Sequence, residues 1–224
     1  MELADALTVA AQQLHETVTP HNTLRTAVRL AVHLLPGAEH AGISVVERGD
    51  HRRTVAWTDD VVRTAEEAAP DERDRPPYWA QLWNSPVVRL GDGEAEDGGS
   101  APAAVGLRSA LALRLRADRR SLTVLTAYAR KPHAFDDAAV RVGRLFTAHV
   151  SIALDSATVR EQLTEAMRTR DLIGQATGIL MERLDIDAAE AFESLVRASQ
   201  RENVKLRELA RRIVGRHRTK DAAP

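Results

Sequence analysis

The chain has 224 residues, of which 44% are hydrophobic and 28% charged, so its length allows one large domain or two small ones. Its net charge of -1 indicates no general preference for anionic partners, and the absence of cysteine excludes disulfides, thiolate metal sites and cysteine-linked chromophores. We find no signal peptide and no apolar run near the roughly 18 residues of a membrane span, so we expect a cytoplasmic protein without a membrane segment.

Two helices are predicted at the start of the chain. Apolar residues recur at helical spacing from Leu3 to Val18, and Pro20 is expected to end this helix. Asn22 is a candidate N-cap for the second helix, which Pro36-Gly37 should end.

The period then changes to that of β-strands. A hairpin is predicted from Ala41–Val46 and Arg53–Trp57, and Asp59 or Asp60 can cap a following helix. The remaining predictions in this half are a loop over Pro70–Pro77, a short helix over Tyr78–Trp83, a strand over Pro86–Leu90, an exposed loop over Gly91–Pro102, and two central antiparallel strands over Leu107–Arg116 and Ser121–Tyr128.

These elements predict an α+β domain in which helices cover one face of an antiparallel sheet. The run G-L-R-S-A-L-A-L-R-L, followed by L-T-V-L-T-A-Y-A-R-K-P-H-A-F-D-D, resembles the late strands of a GAF sensory domain. That resemblance implies a signal, such as a small-molecule ligand, whose identity the residues do not give. Trp57, Tyr78, Trp79 and Trp83 can line a pocket for it, although packing in an α+β core is the commoner explanation for such aromatic residues.

A heptad repeat begins after Asp136-Asp137, the predicted cap of the last helix of this domain. It predicts a two-stranded coiled-coil seam in which two polar residues fix the register. Alternatively, the helix packs on its own domain through Phe146, Val150, Ala153 and Ala157, and both faces can be used together. The seam positions are Val142, Leu145, His149, Ile152, Ser156, Val159, Leu163 and Ala166, spaced alternately by three and four residues.

Three helical segments are predicted beyond Ala166. The first runs to Leu184, the second covers Ala188–Ser199 behind the cap Asp187, and the third covers Lys205–Val214 and ends at Gly215. Ile173, Ala176, Leu180, Met181, Ala191, Phe192 and Leu195 are predicted to face the core of this unit.

Three blocks within these segments are R-x-x-I-x-Q-A-x-G-I-L-M, A-x-x-A-F-x-x-L-x-x-x-S and L-x-x-L-A-x-x-I-V. Together they resemble the ANTAR family of RNA-binding antiterminator domains over Leu163–Val214. The resemblance implies a regulator that binds two neighbouring stem-loops of nascent messenger RNA as a homodimer and prevents formation of a terminator hairpin. Signal sensing is then expected in the GAF-like domain.

The residue chemistry agrees with RNA binding. Small residues at Ala176-Thr177-Gly178, beside Gln175, allow bases to approach the helix, while Arg168 and Arg170 can pair with phosphate or stack on a base. Many family members carry lysine where this chain has Thr177. Lys205, Arg207 and Arg211 lie in a segment, Lys205–Lys220, whose seven basic residues and Glu208 give a charge of +6.

The same residues also allow roles that involve no RNA. Gly178 can simply admit a neighbouring helix, Arg170 can pair with Asp171 or Glu165, and the C-terminal arginines can form a solvated helix face. A DNA-binding helix-turn-helix regulator is the runner-up, although the acidic Asp185-Ile186-Asp187 counts against it. A plain dimerisation module without sensing is a third alternative.

We expect no catalysis, because the eight histidines are scattered and no catalytic or phosphate-binding motif is present. No metal site is predicted. The expected domains are a GAF-like sensor over 1–158, an ANTAR domain over 159–216 and a tail over 217–224.

Overall fold

A computed structural model describes residues 3–47, 52–67, 78–92 and 101–221 of the chain. The side chains of residues 78–80, 101–102 and 218–221 are outside this description, as are the predicted loop over Pro70–Pro77 and most of the Gly91–Pro102 loop. The chain divides into two compact units, Met1–Arg160 and Glu161–Pro224. Within the described ranges, no helix is both long enough and apolar enough to cross a membrane.

The first unit contains a five-stranded antiparallel sheet, which confirms the predicted α+β class. The strand order is β2-β1-β5-β4-β3, so β5 is central and β2 and β3 form the edges. The hairpin of β1 and β2 carries a register shift between Ile43 and Ser44. The strands are β1 (His40–Glu47), β2 (Arg52–Trp57), β3 (Val87–Leu90), β4 (Ser109–Ala117) and β5 (Ser121–Ala129).

The helices of this unit are α1 (Leu3–His15), α2 (Pro20–Leu34), α3 (Asp60–Glu67), a 3-10 helix (Tyr78–Trp83), α4 (Ala101–Ala104) and the beginning of α5 (Asp137–Leu184). The predicted roles of Pro20 and Asn22 were wrong. Pro20 opens α2, where its missing N–H is not needed, and the Thr19 hydroxyl caps the helix by accepting the Asn22 backbone N–H at 3.3 Å. Ala101 and Pro102, predicted as loop, open α4.

Both faces of the sheet are covered, whereas the sequence predicted only one. On β5, Leu125 and Ala127 pack in a cluster with α1, α2 and α5. Leu122 and Tyr128, which point to the opposite face, pack in a second cluster with α3 and the 3-10 helix. A central strand that is buried on both faces has apolar residues at nearly every position. The apolar pattern of such a strand therefore does not show how many faces of the sheet are covered.

The second unit is a helical arrangement of the C-terminal part of α5, α6 (Ala188–Glu202) and α7 (Leu206–Asp221). Asp187 caps α6 in a capping box with Glu190, as the sequence predicted for this cap. Asn203 ends α6 in the left-handed conformation, with φ of 52°. Gly215 does not end the last helix, because α7 continues through it; glycine lowers helix stability but stops a helix only where the backbone also turns. The core cluster consists of Ala176, Leu195, Leu209, Ala210 and Val214, and Ala191 is buried as well.

Candidate nucleic-acid interface

The N-terminal part of α5 has two apolar faces with opposite environments. Phe146, Val150 and Ala157 are fully buried against the first unit. Leu145, Ile152 and Val159 on the other face are 54%, 66% and 62% exposed. His149 is also exposed, and beyond the first unit the same spacing reaches Leu163, which is 61% exposed. The predicted packing on its own domain therefore describes one face of α5, while the predicted seam residues from Leu145 onward lie exposed on the other face.

Val142 does not belong to the exposed seam. It is 4% exposed and lies in the cluster between the sheet and α5. The reason is the close approach of α5 to the sheet at this point: a Cβ added at Gly143 would lie 2.7 Å from Leu113 Cδ1. The first heptad position is consequently covered by its own domain, and the exposed seam begins at Leu145.

Polar contacts tie α5 to β4 along the same stretch. The Ser151 hydroxyl lies 2.8 Å from the Leu115 carbonyl, to which it donates, and Arg116 forms an ion pair with Asp155. These contacts connect β4 to the helix that carries the exposed seam residues.

In the second unit, α5 separates the predicted RNA-binding residues into accessible and inaccessible ones. Ala176 is fully buried against α6 and α7, so its prediction as a core residue is confirmed and its assignment as an RNA contact was wrong. Thr177 is half-buried and its hydroxyl donates to the Ile173 carbonyl at 2.9 Å, within its own helix. Gln175 and Gly178 are exposed. The small-residue run thus presents alternate sides, one to the core and one to the surrounding solution.

Gly178 is not required by helix packing. Among the described residues, a Cβ built at Gly178 meets no atom within 4 Å outside the neighbouring backbone of its own helix, and the same is true of Gly174 one turn earlier. The suggestion that a neighbouring helix demands a small residue at Gly178 is therefore wrong. Glycine inside a helix costs roughly 1 kcal/mol relative to alanine. Each of these two glycines therefore lowers the stability of the helix, and no packing contact offsets that cost.

The predicted basic residues differ in their availability. Arg168, Arg170 and Lys205 are exposed, and none forms an ion pair with any described residue, so the suggested pairing of Arg170 with Asp171 or Glu165 is absent from that part of the chain. Arg207 lies 3.7 Å from Glu165 and 3.4 Å from Glu208, and Arg211 lies 2.7 Å from Glu208. Phosphate must compete with these carboxylates for Arg207 and Arg211.

Phe192 and Met181 were predicted to be core residues, but they are 44% and 36% exposed. Helical period placed Phe192 beside Ala191 and Leu195, which are buried, but the core of three short helices is too narrow to cover the whole apolar face.

The second face of the sheet contains a buried polar network centred on Glu66, which is 3% exposed. Its carboxylate lies 3.0 Å from Arg52 in an ion pair, and accepts hydrogen bonds from Tyr128 at 2.9 Å, Thr54 at 3.0 Å and Ser44. This group lies between α3 and strands β1, β2 and β5, and sequence reasoning missed it because its five residues come from four separate elements.

The predicted aromatic pocket is only partly accounted for. Trp57 is 40% exposed and its ring lies 5.9 Å from the Arg63 guanidinium, so it faces outward rather than into a cavity. Trp83 packs against the second cluster, while the side chains of Tyr78 and Trp79 lie outside the described residues.

Two family models match the chain. A GAF domain matches residues 17–155, and an ANTAR domain matches residues 161–214. No curated protein matches it.

Solved structures are similar to the sensor fold at low identity. The GAF domain of an Acinetobacter phosphoenolpyruvate-protein phosphotransferase has a TM-score of 0.54 and 16% identity, over 70% of this chain and 94% of that one. Free methionine-R-sulfoxide reductase of Neisseria meningitidis gives 0.51 and 16%, over 72% and 91%. The photosensory core module of Stigmatella aurantiaca phytochrome has a TM-score of 0.56 and 12% identity, and the match covers 86% of this chain but 43% of the phytochrome chain.

Proposed function

Because this chain belongs to the GAF domain family and carries an ANTAR domain behind that domain, we propose that it binds paired RNA hairpins as a homodimer under control of a signal received by the GAF domain. The ANTAR domain indicates an RNA-binding antitermination regulator, and the GAF domain is its sensor module. The proposal adds the dimer, the dual stem-loop target in nascent messenger RNA and the response to a signal.

The observation that carries the proposal is the pair of accessible arginines on α5 in the second unit. Arg168 and Arg170 are exposed without acidic partners in the described residues, on the helix whose surface glycine keeps open at Gly178. Guanidinium groups bind phosphate in two-pronged geometry and stack on bases, and unpaired loop bases need a surface they can approach closely. Lys205 adds a further exposed charge.

Homodimerisation is supported by the exposed apolar stripe of α5. A stripe of large side chains that are each more than half exposed is costly in water. Its seven-residue spacing suits a second copy of the same helix, because a two-fold interface places the same stripe on both partners. His149 within this stripe then fixes the register of the pair. Two copies supply two RNA-binding units, which matches a target of two hairpins.

Signal transfer is supported by the contacts between α5 and the sheet. Ser151 and Asp155 hold α5 to β4, on the helix that carries the exposed stripe. A ligand that repacks the sheet or the Glu66 network changes the position of the stripe and therefore the pairing of the two copies.

We also propose that the protein is a regulator and not an enzyme. A turnover screen with nucleotides should detect no hydrolysis above background, whereas activity that purifies with the chain would contradict this point.

The central experiment measures binding of the full chain to an RNA with two short-loop hairpins at two salt concentrations. We expect salt-sensitive binding, with a smaller salt slope for Arg170→Ala by about one counterion. Arg201→Ala removes an exposed arginine of α6 and is the matched charge control. A single hairpin should bind more weakly than the pair. Stronger binding to duplex DNA than to RNA would instead favour the helix-turn-helix alternative.

The dimer is tested by Ile152→Asp, which should abolish both the dimer in sedimentation and tight RNA binding. Val9→Asp places the same charge on another exposed apolar residue, 44% exposed on α1, and should leave both properties intact. Tight binding of the two-hairpin RNA by a monomeric Ile152→Asp protein would contradict the dimeric mechanism.

A further inference from the structure

A groove runs between α5 and α7 in the second unit. It consists of two adjoining hollows of about 310 and about 460 Å³, and both are lined by Gln175 and Val214. Each volume lies within the roughly 300–1,000 Å³ typical of small-ligand sites. On α5 the lining residues recur every three or four positions from Arg168 to Glu182, so they form one continuous side of the helix.

The chemical character of the groove changes along its length. One end is formed by Arg168 and Arg211 together with Asp171, so cationic groups outnumber the single carboxylate there, and the walls are apolar at Leu172, Ile179 and Val214. The other end contains Glu182 and His217, and Gln175 lines both hollows. Neither the Gln175 amide nor the Glu182 carboxylate makes a hydrogen bond with a side chain or backbone group in the described residues. Along the groove, the cationic end is thus followed by a flat apolar wall and then by polar groups. A nucleotide presents its phosphate, the face of its base and the edge of its base in the same order.

The glycines of the groove are not accounted for by the packing of the fold. Gly178 on α5 and Gly215 on α7 both line it, and a Cβ at either would meet none of the described atoms within 4 Å. Alanine would fit both helices and favour them. A ligand that approaches the helix backbone closely accounts for glycine where internal packing does not.

We propose that this groove holds one unpaired base of an RNA loop. The phosphate lies beside Arg168 and Arg211, the base face lies against Ile179 and Val214, and the base edge meets Gln175 and Glu182. This inference rests on the proposed RNA binding and specifies where a base is read. Because the Glu182 carboxylate only accepts hydrogen bonds, the groove favours bases whose edge presents an amino group over uracil, whose single N3–H donor lies between two carbonyl oxygens that repel a carboxylate.

The matched pair Gly178→Ala and Gly174→Ala tests the groove in the full chain. Both glycines are open and lie one turn apart on α5, but only Gly178 lines the groove. Both variants should raise the melting temperature. Only Gly178→Ala should weaken binding to the two-hairpin RNA, by about tenfold, the order of losing one well-stacked base.

Changes in the RNA complete the test. Replacing the loop base that enters the groove by an abasic position should weaken the wild type and remove the difference between the wild type and Gly178→Ala. All-uracil loops should bind the wild type weakly, and Glu182→Gln, whose amide can donate, should reduce that discrimination.

The outcomes separate the two proposals. If the wild type binds the two-hairpin RNA and both Gly178→Ala and Gly174→Ala bind it as tightly as the wild type does, the groove assignment is overturned and the RNA-binding proposal stands. If the wild type binds no hairpin RNA at low salt, both proposals are overturned.

Discussion

Glycine has opposite roles in the two units that α5 passes through. In the first unit, Gly143 lies against the sheet, and a Cβ there would lie 2.7 Å from a methyl group of Leu113. In the second unit, Gly174 and Gly178 have open space where a side chain would be. One helix thus uses the same residue type to pack closely on its own domain and to leave a surface free.

The cores of the two units also differ in their extent. Both faces of the sheet in the first unit carry clusters of buried apolar residues, and a buried ion pair between Arg52 and Glu66 lies within the second face. In the described part of the second unit, the core cluster has five buried residues, and Phe192 and Met181 are exposed. The sensor unit thus has the more extensive buried core, whereas the RNA-binding unit leaves large apolar side chains on its surface.

The largest expected effect separates the two faces of α5. Phe146→Ala should lower the free energy of unfolding by about 3–5 kcal/mol, because it leaves a cavity in a fully buried site. The adjacent Leu145→Ala should change the stability of the monomer by less than about 0.5 kcal/mol and weaken the dimer instead. Denaturant unfolding at protein concentrations below and above dimerisation measures both. Equal losses for the two variants in the monomer would contradict the assignment of faces.

A smaller effect distinguishes the two kinds of glycine. In Gly143→Ala, the buried Leu113 side chain must shift, and overpacking of this kind costs about 1–3 kcal/mol, against a gain of roughly 1 kcal/mol in helix preference. We therefore expect a net loss for Gly143→Ala and a net gain for Gly174→Ala. Calorimetry of both variants provides the comparison, and a gain in both would mean that Gly143 is not sterically required.

The smallest effect is a pH dependence in the sensor unit. Asp59 caps α3 by accepting the backbone N–H groups of Val61 and Val62, and its carboxylate lies 2.6 Å from His40 Nδ1. Partial burial raises the pKa of Asp59, but hydrogen bonds from His40 and Thr58 outweigh this effect and lower the pKa below its usual range. A lowered carboxyl pKa stabilises the fold above the usual value of about 3.9, and this stabilisation is lost as the pH falls through the folded-state pKa.

Asp59→Asn should therefore be less stable than the wild type near neutral pH, with the difference shrinking in acid. Asp60→Asn, which removes the neighbouring exposed carboxylate, is the control. A constant difference between Asp59→Asn and the wild type at all pH values would show that the charge of Asp59 contributes nothing.

Local patterns in the sequence predicted the elements well. Alternation placed the hairpin and the two central strands, and the cap Asp187 with Glu190 three residues later placed the start of α6. These signals depend on residues that are close together in the chain. The Glu66 network joins residues from three strands and α3, so no local sequence pattern predicts it.

Burial was harder to predict than helicity, and the errors have one cause. Period shows which residues share a face, but not whether anything covers that face. Val142 and Phe192 were assigned by period, the first to an exposed seam and the second to a core, and the structure reverses both. Ala176 and Gly178 lie two residues apart in the predicted RNA-binding run, yet the core covers Ala176 completely. Only tertiary packing fixes which of these side chains reaches a partner.

The open glycines also have an evolutionary consequence. A single nucleotide change converts any glycine codon to an alanine codon, so random mutation repeatedly offers a more stable version of α5 at Gly178. Selection for stability alone would accept that change quickly. In a library grown under selection for antitermination, alanine should therefore be depleted at Gly178 and tolerated at Gly174, and relaxing the selection should let it spread at both positions.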